Sequence, residues 1–112
     1  MAKLERNLTG NFDALLDYLH DGILNGSASA SWEESSDYEG ANFRCAVRVY
    51  ERYSVMGGNR VSLNLTLVGE GDRLFLSAIT SGGSQAMFFK INTLGEGAFL
   101  DQVEELLDQW KG

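Results

Sequence analysis

The chain has 112 residues, 44% of them hydrophobic, and a formal net charge of −7 from 16 acidic and 9 basic side chains. That length fits a single domain, residues 1–112, with enough apolar content for one core, and the acidic balance opposes nucleic acid as a partner. A lone cysteine, Cys45, excludes an intramolecular disulfide and a multi-cysteine metal site, and no apolar run reaches the ~18 residues a membrane span needs.

The opening segment, MAKLERNLTGNFDALL, mixes charges with apolar residues where a secretory signal would be apolar, so a cytoplasmic location is expected. Leu4 and Leu8 fit a short edge strand over residues 3–8. From Asn11 the period changes. Phe12, Leu15, Leu16, Leu19, Ile23 and Leu24 fall on one face of an amphipathic helix, with Asn11 or Thr9 as cap and Gly26 as terminator.

Strands with period two follow. SASASWE sets Ala28, Ala30 and Trp32 on one side. FRCAVRVYERY sets Phe43, Cys45, Val47 and Val49 against Arg44, Ala46, Arg48, Tyr50 and Arg52, and burying the first group directs Cys45 inward and the arginines outward. A two-residue turn at Gly57-Gly58 would turn the arginines to the core, so an odd loop is expected, with Val49 opposite Leu65.

Val61, Leu63, Leu65 and Leu67 form the core side of the next strand. A turn at Glu70-Gly71 pairs Leu67 with Leu74, Leu65 with Leu76 and Leu63 with Ala78. Ser81-Gly82-Gly83-Ser84 then reads as a hairpin turn rather than an anion-binding loop, because the QAMFFKIN that follows is strand-forming and offers no helix N-terminus. That turn pairs Ala78 with Met87, Leu76 with Phe89 and Leu74 with Ile91. Phe99, Leu100, Val103, Leu106, Leu107 and Trp110 mark a second helix after a glycine-bearing loop. The expected fold class is α+β: an antiparallel meander of five or six strands in two layers, with the N-terminal and C-terminal helices on one face.

Little of this pattern carries chemistry. His20, the only histidine, stands near Asp13, Asp17 and Asp21, but those aspartates recur at four-residue steps as a solvated helix face does, and the two-histidine metal motif is absent. No metal, cofactor or catalytic residue is expected. Arg44, Arg48 and Arg52 suit carboxylate or phosphate recognition, or simple pairing with Glu33, Asp37, Glu39 and Glu51. Arg48, Tyr50 and Arg52 are the candidate ligand-binding residues. Phe75, Ile79, Ala86 and Phe88 should share the outer sheet face, which is more apolar than a wetted face usually is. Phe75, Ile79 and Phe88 are therefore the candidate interface of a homodimer.

The segments DGILNGSASASWE, CAVRVYERYS, RVSLNLTL and SAITSGGSQAMFFKIN resemble a family of short, uncharacterised bacterial proteins of Firmicutes type, a domain of unknown function. The resemblance implies a small intracellular protein and brings no activity with it. The order of elements is also similar to the helix-grip proteins, which hold apolar ligands between sheet and C-terminal helix; here Trp32, Met87, Phe89, Phe99 and Trp110 are expected to fill that space. Three functions remain open: a non-enzymatic binding or assembly module, an apolar-ligand carrier, and an enzyme acting on an anionic small molecule through Arg48, Tyr50 and Arg52.

Overall fold

The two helical patterns form where their periodicity places them. The computed structural model describes residues 1–53, 59–82 and 97–111, and in chain order these build β1 (Ala2–Thr9), α1 (Phe12–Asn25), β2 (Ser31–Glu39), β3 (Arg44–Tyr53), β4 (Arg60–Glu70), β5 (Arg73–Gly82) and α2 (Ala98–Gln109). Asn11 caps α1 by accepting from the Ala14 backbone N–H at 2.9 Å, and Gly26 closes it. α2 begins at Gly97 without a side-chain cap, so packing of its apolar face supplies its stability.

The five strands make one antiparallel sheet in the order β1-β5-β4-β3-β2. Strands β2 to β5 run as a meander, while β1 crosses to the far edge and pairs with β5, Leu4 opposite Ala78 and Leu8 opposite Leu74. β1 therefore occupies the edge on which the Gly82-Gly83 hairpin would have placed its second strand. The expected pairings of Ala78, Leu76 and Leu74 with a sixth strand are overturned on that side. Their partners Met87, Phe89 and Ile91 lie outside the described residues.

The β4–β5 register differs from expectation by two residues. Glu70 faces Arg73, so Leu67 pairs with Leu76 and Leu65 with Ala78, and the turn is Gly71-Asp72 with φ +63 at Gly71 alone, as a type II′ turn requires. A two-residue shift leaves every side chain on its intended face, so the leucine core survives it.

Both helices cover one face, α1 over β4 and α2 over β5 and β1. Leu15, Leu19, Ile23, Leu63, Leu65, Leu67, Leu76, Phe99 and Val103 are all fully buried between the layers. Side chains thus occupy the space in which a helix-grip carrier would hold its ligand. Phe99 fills as expected, but Trp32 does not, being 53% exposed.

β3 reverses its expected faces. Tyr53 stands opposite Arg60 with an even count of residues, 54–59, between them, and Ala46 pairs with Leu67, Arg48 with Leu65 and Tyr50 with Leu63. The odd loop is thereby overturned. Arg44, Ala46, Arg48, Tyr50 and Arg52 share the helix-facing side, and Cys45, Val47 and Val49 face outward, where Cys45 is half-buried.

Candidate functional site

The physical reason for that reversal is that each guanidinium finds a dedicated partner among the helices or on β2. Arg44 lies 4.3 Å above the Phe12 ring and binds Asp13 at 2.8 Å, holding that carboxyl below the usual carboxylate range. Arg52 lies 4.3 Å above the Phe99 ring and donates to Gln102 Oε1 at 2.9 Å, while burial pushes its own pKa down. Planar guanidinium stacks on aromatic faces with little loss of hydration, so these two arginines clamp the helices to β3. Gln102 extends the second clamp, donating through Nε2 to the Gly22 and Ile23 carbonyls at the end of α1.

Arg48, between them, has a different setting. A β-bulge between Trp32 and Glu34 shifts the alternation of β2, so that Trp32, opposite Tyr50, shares the helix-facing side with Ser35 and Asp37. Asp37 thereby reaches Arg48 Nη1 at 3.0 Å. Of the acids expected to pair with this arginine row, Asp37 alone does so through a salt bridge; Glu33 and Glu51 pair with Arg60 instead.

Next to this pair stands His20, four residues beyond the buried Leu16 and half-buried on the flank of α1. Its Nδ1 lies 2.7 Å from the Tyr50 hydroxyl, and its ring meets Trp32 edge-on with centroids 5.0 Å apart. Tyr50 is fully buried, and burial pushes its phenol up to about 12. Leu16, Asp17, His20, Trp32, Ser35, Asp37 and Arg48 line a shallow cleft of about 340 Å³ between α1 and β2.

The opposite face of the sheet is covered by neither helix. Across it, Cys45, Val68 and Phe75 make one row, Val47, Thr66 and Ser77 a second, and Val49, Asn64 and Ile79 a third. Tyr38 stands beside Cys45 at 67% exposure, its ring tilted against that of Phe43 with centroids 5.8 Å apart. Charges of both signs border these rows: Arg60 bound to Glu33 and Glu51 at one end, Glu70 and Arg73 at the other, and Lys3 with Glu5 on the β1 edge.

A family of unknown function, DUF6054, matches residues 1–111. The chain belongs to the DUF6054 family. Neither the curated proteins nor the solved structures include a match to it. Among the described residues of this DUF6054 protein, no helix is long and apolar enough to cross a membrane, and no three His, Cys, Asp or Glu side chains gather where they could hold a metal ion.

Of the candidate ligand residues, the DUF6054 fold places Arg48 in the cleft, buries Tyr50 beneath His20 and commits Arg52 to α2. Phe75 and Ile79 lie on the outer face as expected, and Phe88 and Ala86 lie outside the described residues. Tyr50 and the three arginines, expected to border that face, lie on the other. The His20–Tyr50 hydrogen bond escaped sequence reasoning because inward Val47 and Val49 excluded an inward Tyr50. The signal available was that a strand carrying Tyr50 on its inner face would oppose the chain's one histidine.

Proposed function

We propose that this protein is a non-enzymatic assembly module that joins a second copy of itself through the outer face of its sheet. The observation that carries this reading is the set of apolar side chains on that face, Cys45, Val47 and Val49 along β3 with Val68 and Phe75 beside Cys45 and Ile79 across from Val49, interspersed with Asn64, Thr66 and Ser77 and bordered by paired charges of both signs. Apolar side chains within a charged rim are the anatomy of a protein interface, and a twofold axis lets the same face serve both copies. Size supports it as well. Five strands about 4.8 Å apart and about ten residues long, at about 3.3 Å per residue, span roughly 800 Å², which is about what each partner contributes to a standard complex.

Association by face rather than by edge follows from the edge strands. β2 carries Glu33, Glu34, Asp37 and Glu39 together with its bulge, and β1 carries Lys3, Glu5 and Arg6; such charges and bulges oppose edge pairing. A cytoplasmic location, where thiols stay reduced, is part of the same reading, and the free Cys45 on that face supports it.

Sedimentation equilibrium at micromolar concentration should give about twice the 12.3 kDa chain mass. Val47→Glu and Phe75→Glu should each return the chain mass with an unchanged circular dichroism spectrum, since a carboxylate would be forced into the contact. A wild-type protein that sediments as a monomer throughout overturns the proposal.

A further inference from the structure

The cleft between α1 and β2 has a donor arrangement that the fold does not use up. Arg48 makes its two hydrogen bonds, to Asp37 and to its neighbour's Val47 carbonyl, both through Nη1. Among the described residues its Nε and Nη2 groups have no acceptor, yet Trp110 Nε1 is the only unpartnered side-chain nitrogen or oxygen there that is sealed from solvent. The remaining Arg48 donors are therefore not sealed from solvent, and Arg48 is one of the residues that line the cleft.

The second donor is set by Tyr50. Among the described residues its hydroxyl has a single partner, His20 Nδ1, and it is buried. If Nδ1 carried the hydrogen, the phenol proton would be buried without an acceptor among the described residues, which is unfavourable. The phenol therefore donates, the neutral imidazole keeps its hydrogen on Nε2, and that N–H points away from Tyr50 on the other side of the ring. Trp32 supplies the third element. Its indole N–H is taken by the Glu34 carbonyl at 3.2 Å, which steadies the ring, and 53% of the residue stays exposed.

We propose that this cleft binds a small carboxylate with a flat apolar body, the carboxylate received by Arg48 and His20 Nε2–H and the body laid on Trp32. A guanidinium fork matches a carboxylate in shape and charge, and an exposed indole is a stacking platform. Asp17 and Asp37 line the same cleft; their field, within a chain of net charge −7, disfavours a phosphate dianion more than a monoanion. The cleft lies on the helix side of the sheet, so self-association through the outer face leaves it open.

Benzoate is the probe. The chain's single histidine gives one set of imidazole signals, so a long-range ¹H–¹⁵N spectrum reads the site directly. Benzoate should shift the His20 Nε2 resonance saturably with millimolar affinity. Arg48→Gln should weaken binding about tenfold or more, and Trp32→Ala should weaken it several-fold while leaving the starting His20 spectrum in the same tautomer. Should Arg48→Gln fail to fold, Arg48→Lys, which keeps the charge without the fork, should still weaken benzoate several-fold. The proposal is overturned by no saturable shift with the wild-type protein, by unchanged affinity in a folded Arg48 variant, or by tighter binding of phenyl phosphate or benzylamine than of benzoate.

Discussion

Replacing Gly26 by alanine tests how the two helices are joined. Gly26 has φ −81, a right-handed value that alanine adopts freely, so backbone strain plays no part. A Cβ there would stand 1.7 Å from Gln102 Nε2 and 3.0 Å from the Gly22 carbonyl oxygen. The second approach is relieved by a small shift, but the first expels the amide. With it go the Gln102 hydrogen bonds to Gly22 O at 3.1 Å and Ile23 O at 3.4 Å, and the Arg52 bond to Gln102 at 2.9 Å. At about 0.5–1 kcal/mol for each neutral bond and about 1.5 kcal/mol for the charged one, the loss is roughly 2.5–3.5 kcal/mol. A stiffer unfolded chain returns about 0.4–1 kcal/mol. The net cost is about 2 kcal/mol, or a fall of roughly 8 °C in Tm for a domain of this size. Urea and thermal denaturation of a double-mutant cycle with Gln102→Ala isolates the cause: once the amide is absent, Gly26→Ala should be neutral or stabilising. An equal cost in both backgrounds would refute the clash.

Two other perturbations follow from the same structure. Because burial keeps the Tyr50 phenol protonated to about 12 while an unfolded tyrosine ionises near ~10, the unfolded chain loses this proton first as pH rises. The group's contribution is complete below pH ~10 and is lost towards ~12, by on the order of 1–2 kcal/mol after solvent screening; urea midpoints across that range should fall less steeply in Tyr50→Phe, and identical slopes would count against a buried phenol. Gly82 and Gly71 both have positive φ, +97 and +63, but a Cβ at 82 would stand 2.7 Å from the Arg60 carbonyl oxygen whereas one at 71 meets nothing within 4 Å. Gly82→Ala should therefore cost about 2–3 kcal/mol and Gly71→Ala about 1 kcal/mol; the reverse order in chemical denaturation would contradict this β4–β5 backbone.

Periodicity was informative wherever one face of an element is purely apolar. The stripes of α1 and α2 and the inward side of β4 and β5 are of that kind, and there the expected and observed faces agree. The turn between β4 and β5 was misplaced because Glu70-Gly71 and Gly71-Asp72 both offer a glycine, and only the position of its positive φ distinguishes them. β3 is the harder case. Its two sides, Cys45, Val47 and Val49 against Ala46, Tyr50 and three arginines, differ by less than hydropathy suggests, since an arginine stem can be buried while its head reaches an aromatic ring or a carboxylate. Phe12 and Phe99, the rings that receive Arg44 and Arg52, are 32 and 47 residues away in sequence, so no local pattern announces them. The bulge in β2, which brings Asp37 to Arg48, was equally hidden, because it depends on which residue of SWEES is left unpaired. The candidate cleft inherits both difficulties: its residues are ordinary in sequence, and only the reversed face of β3 assembles them.

The crossing of β1 to the far edge of the sheet has a consequence for how the protein is made. During synthesis β1 emerges before the other strands of this sheet, yet among the described residues its neighbour is β5, whose pairing residues run from Arg73 to Thr80. Until those residues leave the ribosome, β1 has no strand to bind and α1 no completed sheet to lie on, while the β2–β3 and β3–β4 pairs can already form from neighbouring segments. Closure of the sheet is thus the long-range step, governed by the time needed to translate the intervening chain and by the entropy of bringing its ends together. Lys3 and Glu5, alternating with Leu4, and Arg6, on the same face as Leu4 and Leu8, give the waiting segment charge enough to discourage pairing with other nascent chains.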